Sequence, residues 1–226
     1  MRRLEATSGE RLTTSRRSWL QLSMRSALAI PGVAVTSGPA AAGIARSPRE
    51  RIRDRYLPNL VLRTQDDRVV RFYDDLIKDK VVVINFMYAQ CDGICPGLTA
   101  NLVKVQKRLG RRVGREIFMY SITLQPAHDS PAVLETYARD HGAGPGWTFL
   151  TGRLEDIERL RRSLGFVDPD PVVDQDKANH VGNIRYGNEP AMLWAACPGL
   201  ADAKWIVESL SWVMRPKSRP ASVPSQ

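Results

Sequence analysis

An α/β fold, with a central mixed sheet flanked by helices, is predicted by three observations. Two long apolar runs, Val81–Met87 and Glu116–Leu124, are rich in β-branched residues and suit strands buried on both faces. Apolar residues recur at helical spacing in the segments that follow, as in Leu98, Leu102, Val105 and Leu109, and again in Leu154, Ile157, Leu160 and Leu164. Strand and helix patterns alternate along the chain, the order expected of a sheet covered on both faces.

The elements follow in order. Asn59–Arg63 and Val69–Phe72 are short strands around Gln65-Asp66-Asp67, a hairpin turn. Val81–Tyr88 is the central strand, and the helix after it carries Leu98 to Leu109. Glu116–Leu124 is the second buried strand. Ser130-Pro131 starts a helix, with serine as N-cap and proline at the first helical position. That helix turns Val133, Leu134 and Tyr137 inward and ends near Gly142. Trp147–Leu150 is a strand, and the Leu154–Leu164 helix is closed by Gly165. Phe166–Asn179 has no period and reads as a long loop, a feature that is often functional. Val181–Tyr186 and Ala191–Ala196 form a hairpin turned by Gly187–Pro190, and a last helix over Asp202–Val213 buries Trp205, Ile206, Leu210 and Val213. The order β-α-β-α-β-α-β-β-α, with cysteines after the first long strand, is thioredoxin-like.

Composition narrows the partners. The chain has 226 residues, a formal charge of +9 and 43% apolar residues, enough for one domain of ordinary size plus tails. The charge is uneven: residues 1–55 carry eleven arginines against four carboxylates, and the remainder carries 22 basic against 20 acidic residues. The excess belongs to the leader, so a nucleic-acid partner loses its main support. Residues 1–45 read as a twin-arginine-like export signal. Ser15-Arg16-Arg17-Ser18-Trp19-Leu20-Gln21 precedes an uncharged stretch from Ser26 to Ala45 that ends in small residues. Pro31, Pro39 and three glycines dilute that stretch too much for a permanent membrane span, so membrane association would come only through an uncleaved leader. The expected location is periplasmic or the outer face of the cytoplasmic membrane. Residues 46–55 read as a linker, 56–214 as the domain, and 215–226 as a Pro/Ser-rich disordered tail.

Cys91-Asp-Gly-Ile-Cys95-Pro96 sits where the central strand hands over to a helix N-terminus. A cysteine there meets the positive end of the helix dipole and unpaired N–H groups, both of which favour thiolate. Spacing of i, i+4 brings both sulfurs to one side of a turn. Such a pair can form a disulfide, attack one, or bind a soft metal such as Cu(I), zinc or an iron–sulfur cluster. The bland alternative is two inert core cysteines, and Asp92, Gly93 and Pro96 argue against it by suggesting an exposed turn.

Asn85 to Pro96 resembles the Sco/SenC family, whose strand leads into a C-x-x-x-C-P motif. The likeness continues through Ser121–Pro131, Leu134, Tyr137-Ala138, Gly146–Gly152 and Asn179-His180, and covers about residues 56–214. The resemblance implies a thioredoxin-like fold that binds one copper ion, Cu(I) or Cu(II), through Cys91, Cys95 and His180. It implies a metallochaperone that helps assemble a respiratory copper centre of the cytochrome c oxidase type. Its partners would be a copper-recipient protein such as an oxidase subunit, and a copper donor or thiol reductant. Where the family commonly has Asp-Pro after the second strand this chain has Gln125-Pro126, so the role of that carboxylate is absent or falls to Asp129. Val181 stands where Ser or Thr is common.

Two functions share the cysteines and part at the histidine. A metallochaperone needs His180; a thiol–disulfide oxidoreductase needs only Cys91 to attack and Cys95 to resolve. Cys197 reads as a small core or turn residue, with a zinc site of three cysteines and a histidine as the sharper alternative. His128 and His141 read as solvated, although His128 follows a core strand. The basic run Lys104, Lys107, Arg108, Arg111, Arg112 and Arg115 reads as a solvated helix face, with docking of an acidic partner the lesser reading.

Overall fold

Seven strands form one mixed sheet, in the order β2-β1-β5-β4-β3-β6-β7. The computed structural model describes residues 46–176 and 182–214. The export signal, His180, Val181 and the tail from Arg215 lie outside the described residues. The strands are β1 (Val61–Thr64), β2 (Val69–Arg71), β3 (Val81–Met87), β4 (Ile117–Thr123), β5 (Trp147–Gly152), β6 (Asn183–Asn188) and β7 (Leu193–Pro198). The three strands β3, β4 and β5 run parallel, and β1, β2, β6 and β7 complete the sheet by antiparallel pairing. β3 and β4 are buried almost throughout, which explains their unbroken apolar sequence: each has a neighbour on both sides and cover on both faces.

The helices are α1 (Pro48–Tyr56), α2 (Ile94–Leu109), α3 (Pro131–Asp140), α4 (Leu154–Ser163), α5 (Pro171–Gln175) and α6 (Ala203–Met214). α2 buries Leu98, Leu102, Val105 and Leu109, the predicted stripe; each fully buried aliphatic side chain contributes roughly 1.5–3 kcal/mol. α6 lies along α2, with the Asn101 amide donating to Gly199 O and Ala201 O at one end and the Arg112 guanidinium against Met214 Sδ at the other.

Several expectations change. Residues 46–55, read as a linker, lie mostly within α1. This helix has no apolar face, so no period betrays it. A capping box joins Ser47 and Glu50, and Arg49 reaches Glu189 in a bidentate pair at 2.6–3.0 Å. Phe72–Ile77, following β2, is a turn of π-helix that sequence reasoning missed. The long loop holds the short helix α5, capped by Asp170. The last hairpin turns two residues later than predicted, because Glu189 is drawn inward. Its carboxylate also accepts the Tyr73 hydroxyl at 2.8 Å and the Asp79 N–H at 2.9 Å. Val133 and Trp205, expected inward, are 37% and 43% exposed, and Leu154, the first residue of the α4 apolar pattern, is 58% exposed.

Candidate metal centre

β3 ends at Met87, and the chain turns through Tyr88 to Gly93 before α2 begins at Ile94. Two contacts fix that turn against β4. The Leu124 N–H donates to Met87 O at 2.7 Å. The buried Asp129 carboxylate accepts the Ala89 N–H at 3.0 Å and the Thr123 hydroxyl at 2.5 Å. Asp129 is 1% exposed and braces the cysteine turn from the loop that follows β4. Its neighbour Ser130 caps α3, as predicted.

α2 has no side-chain cap from Gly93. Its free N–H groups turn instead to sulfur: Cys91 Sγ accepts from the Gly93 and Cys95 amides, the Tyr88 hydroxyl and the Cys95 thiol. Burial pushes the Cys91 thiol up, but these four donors outweigh it and hold the group below its ordinary range. Cys95 is pushed up to about 12, first by burial and then by its hydrogen bond to Cys91, although it accepts the Tyr88 N–H. One sulfur is thus prepared as a thiolate and its neighbour is kept as a thiol.

The pair is less open than the motif suggests. Asp92, Gly93 and Pro96 are exposed as expected, but Cys91 is only 7% exposed and Cys95 is fully buried. All three cysteines are free thiols. Beside the pair, the Thr99 hydroxyl meets the Tyr137 hydroxyl at 2.9 Å, and His141 stacks on Tyr137 with ring centroids 3.9 Å apart. His141 is thereby half-buried rather than solvated, whereas His128 is exposed.

The start of β6 returns to the cysteine turn. Gly182 lies so close to Ile94 that a methyl group on it would overlap Ile94 Cδ1. Upstream, the long loop is tied to α4 by Arg161, whose buried guanidinium holds Asp174 at 2.6–2.7 Å, Glu158 at 3.0–3.2 Å and Phe166 O at 2.6 Å. Phe166 itself meets Phe86 of β3 edge-on at 4.8 Å. Both sides of the segment that contains His180 are therefore anchored, one to α4 and one to the α2 N-terminus. Among the described residues, no group of three His, Cys, Asp or Glu side chains could hold a metal.

Cys197 sits on β7 opposite Ile184, buried in the core, and burial pushes its thiol up to about 11; the core reading fits it. Lys104, Lys107, Arg108, Arg111 and Arg115 are exposed, and Arg112 pairs with Glu116 at 3.0 Å. Asp129, named from the sequence as the carboxylate to which the role missing at Gln125-Pro126 falls if it is kept, supports the cysteine turn, whereas Tyr88 was not expected to take part. The aromatic residue that ends the apolar run was the only sequence signal for Tyr88.

A sequence model of the SCO1/SenC family matches residues 58–214. The chain belongs to the SCO1/SenC family. It is 29% identical over 177 residues to a candidate copper-binding protein of Stutzerimonas stutzeri, covering 76% of this chain and 82% of that one. Among solved SCO1/SenC structures, Bradyrhizobium japonicum ScoI with copper bound is 20% identical, with a TM-score of 0.55 over 68% of this chain and 96% of its own. BsSco, described as a member of the Sco family of cytochrome c oxidase assembly proteins with a disulfide switch, is 22% identical, with a TM-score of 0.55 over 68% and 90%. The shared architecture is the thioredoxin-like fold.

Proposed function

We propose that this SCO1/SenC domain is a copper metallochaperone that holds its cargo through Cys91, Cys95 and His180 and assists assembly of a respiratory copper centre. The observation that carries the reading is the polarised sulfur pair at the α2 N-terminus, with the start of β6 against Ile94. Two sulfurs make a soft donor set that fits Cu(I). His180 precedes Gly182 by two residues in the sequence. The names of the Stutzerimonas and Bradyrhizobium relatives support copper as the metal. Binding would displace the Cys95 proton, since the thiolate is the ligand, and a three-donor shell leaves a position open to a recipient's own ligand.

The test is copper titration of the reduced protein, comparing wild type with Cys91→Ala, Cys95→Ala and His180→Ala. One Cu(I) per chain is expected, with affinity falling at least tenfold in each variant. Unchanged binding in His180→Ala would sink the ligand assignment.

The asymmetry of the two thiols favours a second reading, a thiol–disulfide oxidoreductase acting on a recipient's cysteines. Cys91 would attack one sulfur of the recipient disulfide, breaking its S–S bond to form a mixed disulfide and release the first recipient thiolate; Cys95 would then lose its proton, attack Cys91 and displace the second. The pair would end as a disulfide, to be reduced by an external dithiol. Rapid disulfide reduction without copper binding would select this reading.

The leader supports export to the periplasm or to the outer face of the cytoplasmic membrane, where an oxidase subunit would be met. Among the described residues, no helix is long and apolar enough to cross a membrane. Joint substitution Arg16→Lys and Arg17→Lys should hold the precursor in the cytoplasm, and normal translocation would reject the export signal.

A further inference from the structure

Arg161 is buried and Arg185 is half-buried with its Nε out of reach of water, and the two are treated differently. Arg161 is ringed by two carboxylates and a carbonyl. Arg185, on β6, has a buried Nε with no hydrogen-bond partner, and among the described residues no carboxylate pairs with its guanidinium. Burial lowers its pKa, with no neighbouring charge to offset that cost. Space is nevertheless kept for the head group. Gly165, at φ +75°, faces it, and a Cβ there would lie 2.8 Å from Arg185 Nη2.

The same side chain lines a cavity of about 200 Å³ between α1, the end of α4 and the outer strands of the sheet. The rest of the lining is mainly apolar: Ile52 and Tyr56 of α1, Leu57 just after it, Leu164, and the Trp194 indole, with Ser163 beside them. No acidic residue lines it. Trp194 reaches its place because β6 has glycine opposite it; a methyl group at Gly187 would overlap the indole.

We propose that this cavity is a binding site for a short-chain carboxylate, its anionic head on Arg185 and its alkyl body against Leu57, Leu164 and Trp194. The charge follows from the half-buried guanidinium, which has no carboxylate partner among the described residues and whose fork matches a carboxylate in a bidentate pair. The size follows from the volume. At about 30 Å³ per water-sized group, the cavity holds roughly seven non-hydrogen atoms, which is a carboxylate with a few carbons. The site is separate from the cysteine pair and independent of the copper reading.

Titration of the ¹⁵N-labelled full chain with sodium hexanoate, followed at the tryptophan indole signals, tests the site. The Trp194 signal, assigned by its loss in Trp194→Phe, should shift and saturate. Neutral hexanamide should bind at least tenfold more weakly. Arg185→Met should lose at least tenfold in hexanoate affinity while raising the thermal midpoint, because an apolar side chain replaces an uncompensated cation. Arg185→Lys keeps the charge without the fork and should bind with intermediate affinity, which covers the case of a misfolded Arg185→Met.

Equal binding of hexanoate and hexanamide would overturn the proposal, as would unchanged affinity in both Arg185 variants. So would an absent shift at Trp194, which would leave Arg185 as a cation reaching toward water along its own aliphatic stem. Binding of a peptide through its C-terminal carboxylate, with none of hexanoate, would replace the small molecule by a protein end and would also overturn it.

Discussion

Cys91 lies where the unpaired amides of α2 converge, and it takes the place of the side-chain cap that Gly93 cannot supply. The chemistry of the pair follows from that position. The sulfur that receives hydrogen bonds is stabilised as an anion, and the sulfur that gives one keeps its proton. Since the thiolate is the nucleophile, alkylation by iodoacetamide should modify Cys91 first. Its rate should reach half-maximum at a pH below the ordinary thiol range, with Cys95 protected at neutral pH. Tyr88→Phe removes one donor and should move that midpoint upward without unfolding the domain; mass spectrometry of the labelled peptides reads both effects. Equal labelling of the two cysteines would reject the asymmetry. The motif spacing made Cys91 and Cys95 legible because the helix N-terminus is a local feature. Asp129 was legible only as a carboxylate without an assigned contact, because its bond to the Ala89 amide joins residues 40 positions apart, and Tyr88 was not legible, because no local pattern turns its hydroxyl to Cys91.

At the scale of elements, the same division recurs. Helices with an apolar face announced themselves, whereas α1 is held by polar contacts whose partner lies 140 residues away. Glu189 is that partner. It is 3% exposed and joins α1, the π-helical turn and the last hairpin through Arg49, Tyr73 and the Asp79 amide. Burial pushes its carboxyl up, but the hydrogen bonds from Arg49, Asp79 and Tyr73 prevail and hold it below the usual range. A depressed folded-state pKa contributes stability that is present above the unfolded value of about 4.3 and is lost as pH falls through the folded value. Glu189→Gln should therefore destabilise the domain by about 2 kcal/mol at neutral pH, the scale of hydrogen bonds to a charged group. The gap from wild type should shrink as pH drops below about 4. Urea denaturation at pH 7 and pH 3.5 measures it, and a gap that is constant or widens in acid would remove Glu189 as the clamp.

At the scale of the whole molecule, the alternation of strand and helix fixed the parallel centre of the sheet, since β3, β4 and β5 are each joined by a helical crossover. The edges were less legible. β1 pairs with β5, which lies more than 80 residues further along, and no local pattern specifies that choice. The consequence for function is that the cysteine turn and the start of β6, about 90 residues apart in sequence, meet at one end of the sheet. A ligand that joins them binds the folded chain more tightly than the unfolded one, so copper should stabilise the whole domain. The linkage is RT ln(1 + [L]/Kd), about 4 kcal/mol when free Cu(I) is 1,000 times Kd. For a domain of this size that corresponds to a rise of roughly 8–16 °C in Tm. Scanning calorimetry under buffered Cu(I) should show Tm climbing with the logarithm of free copper. Cys91→Ala should abolish the climb. His180→Ala, which keeps both thiols but removes the proposed bridge to the β6 side, should reduce it by at least a third. A full shift in His180→Ala would mean that copper rests on the α2 side alone, and the distant histidine would have to be given up as a ligand.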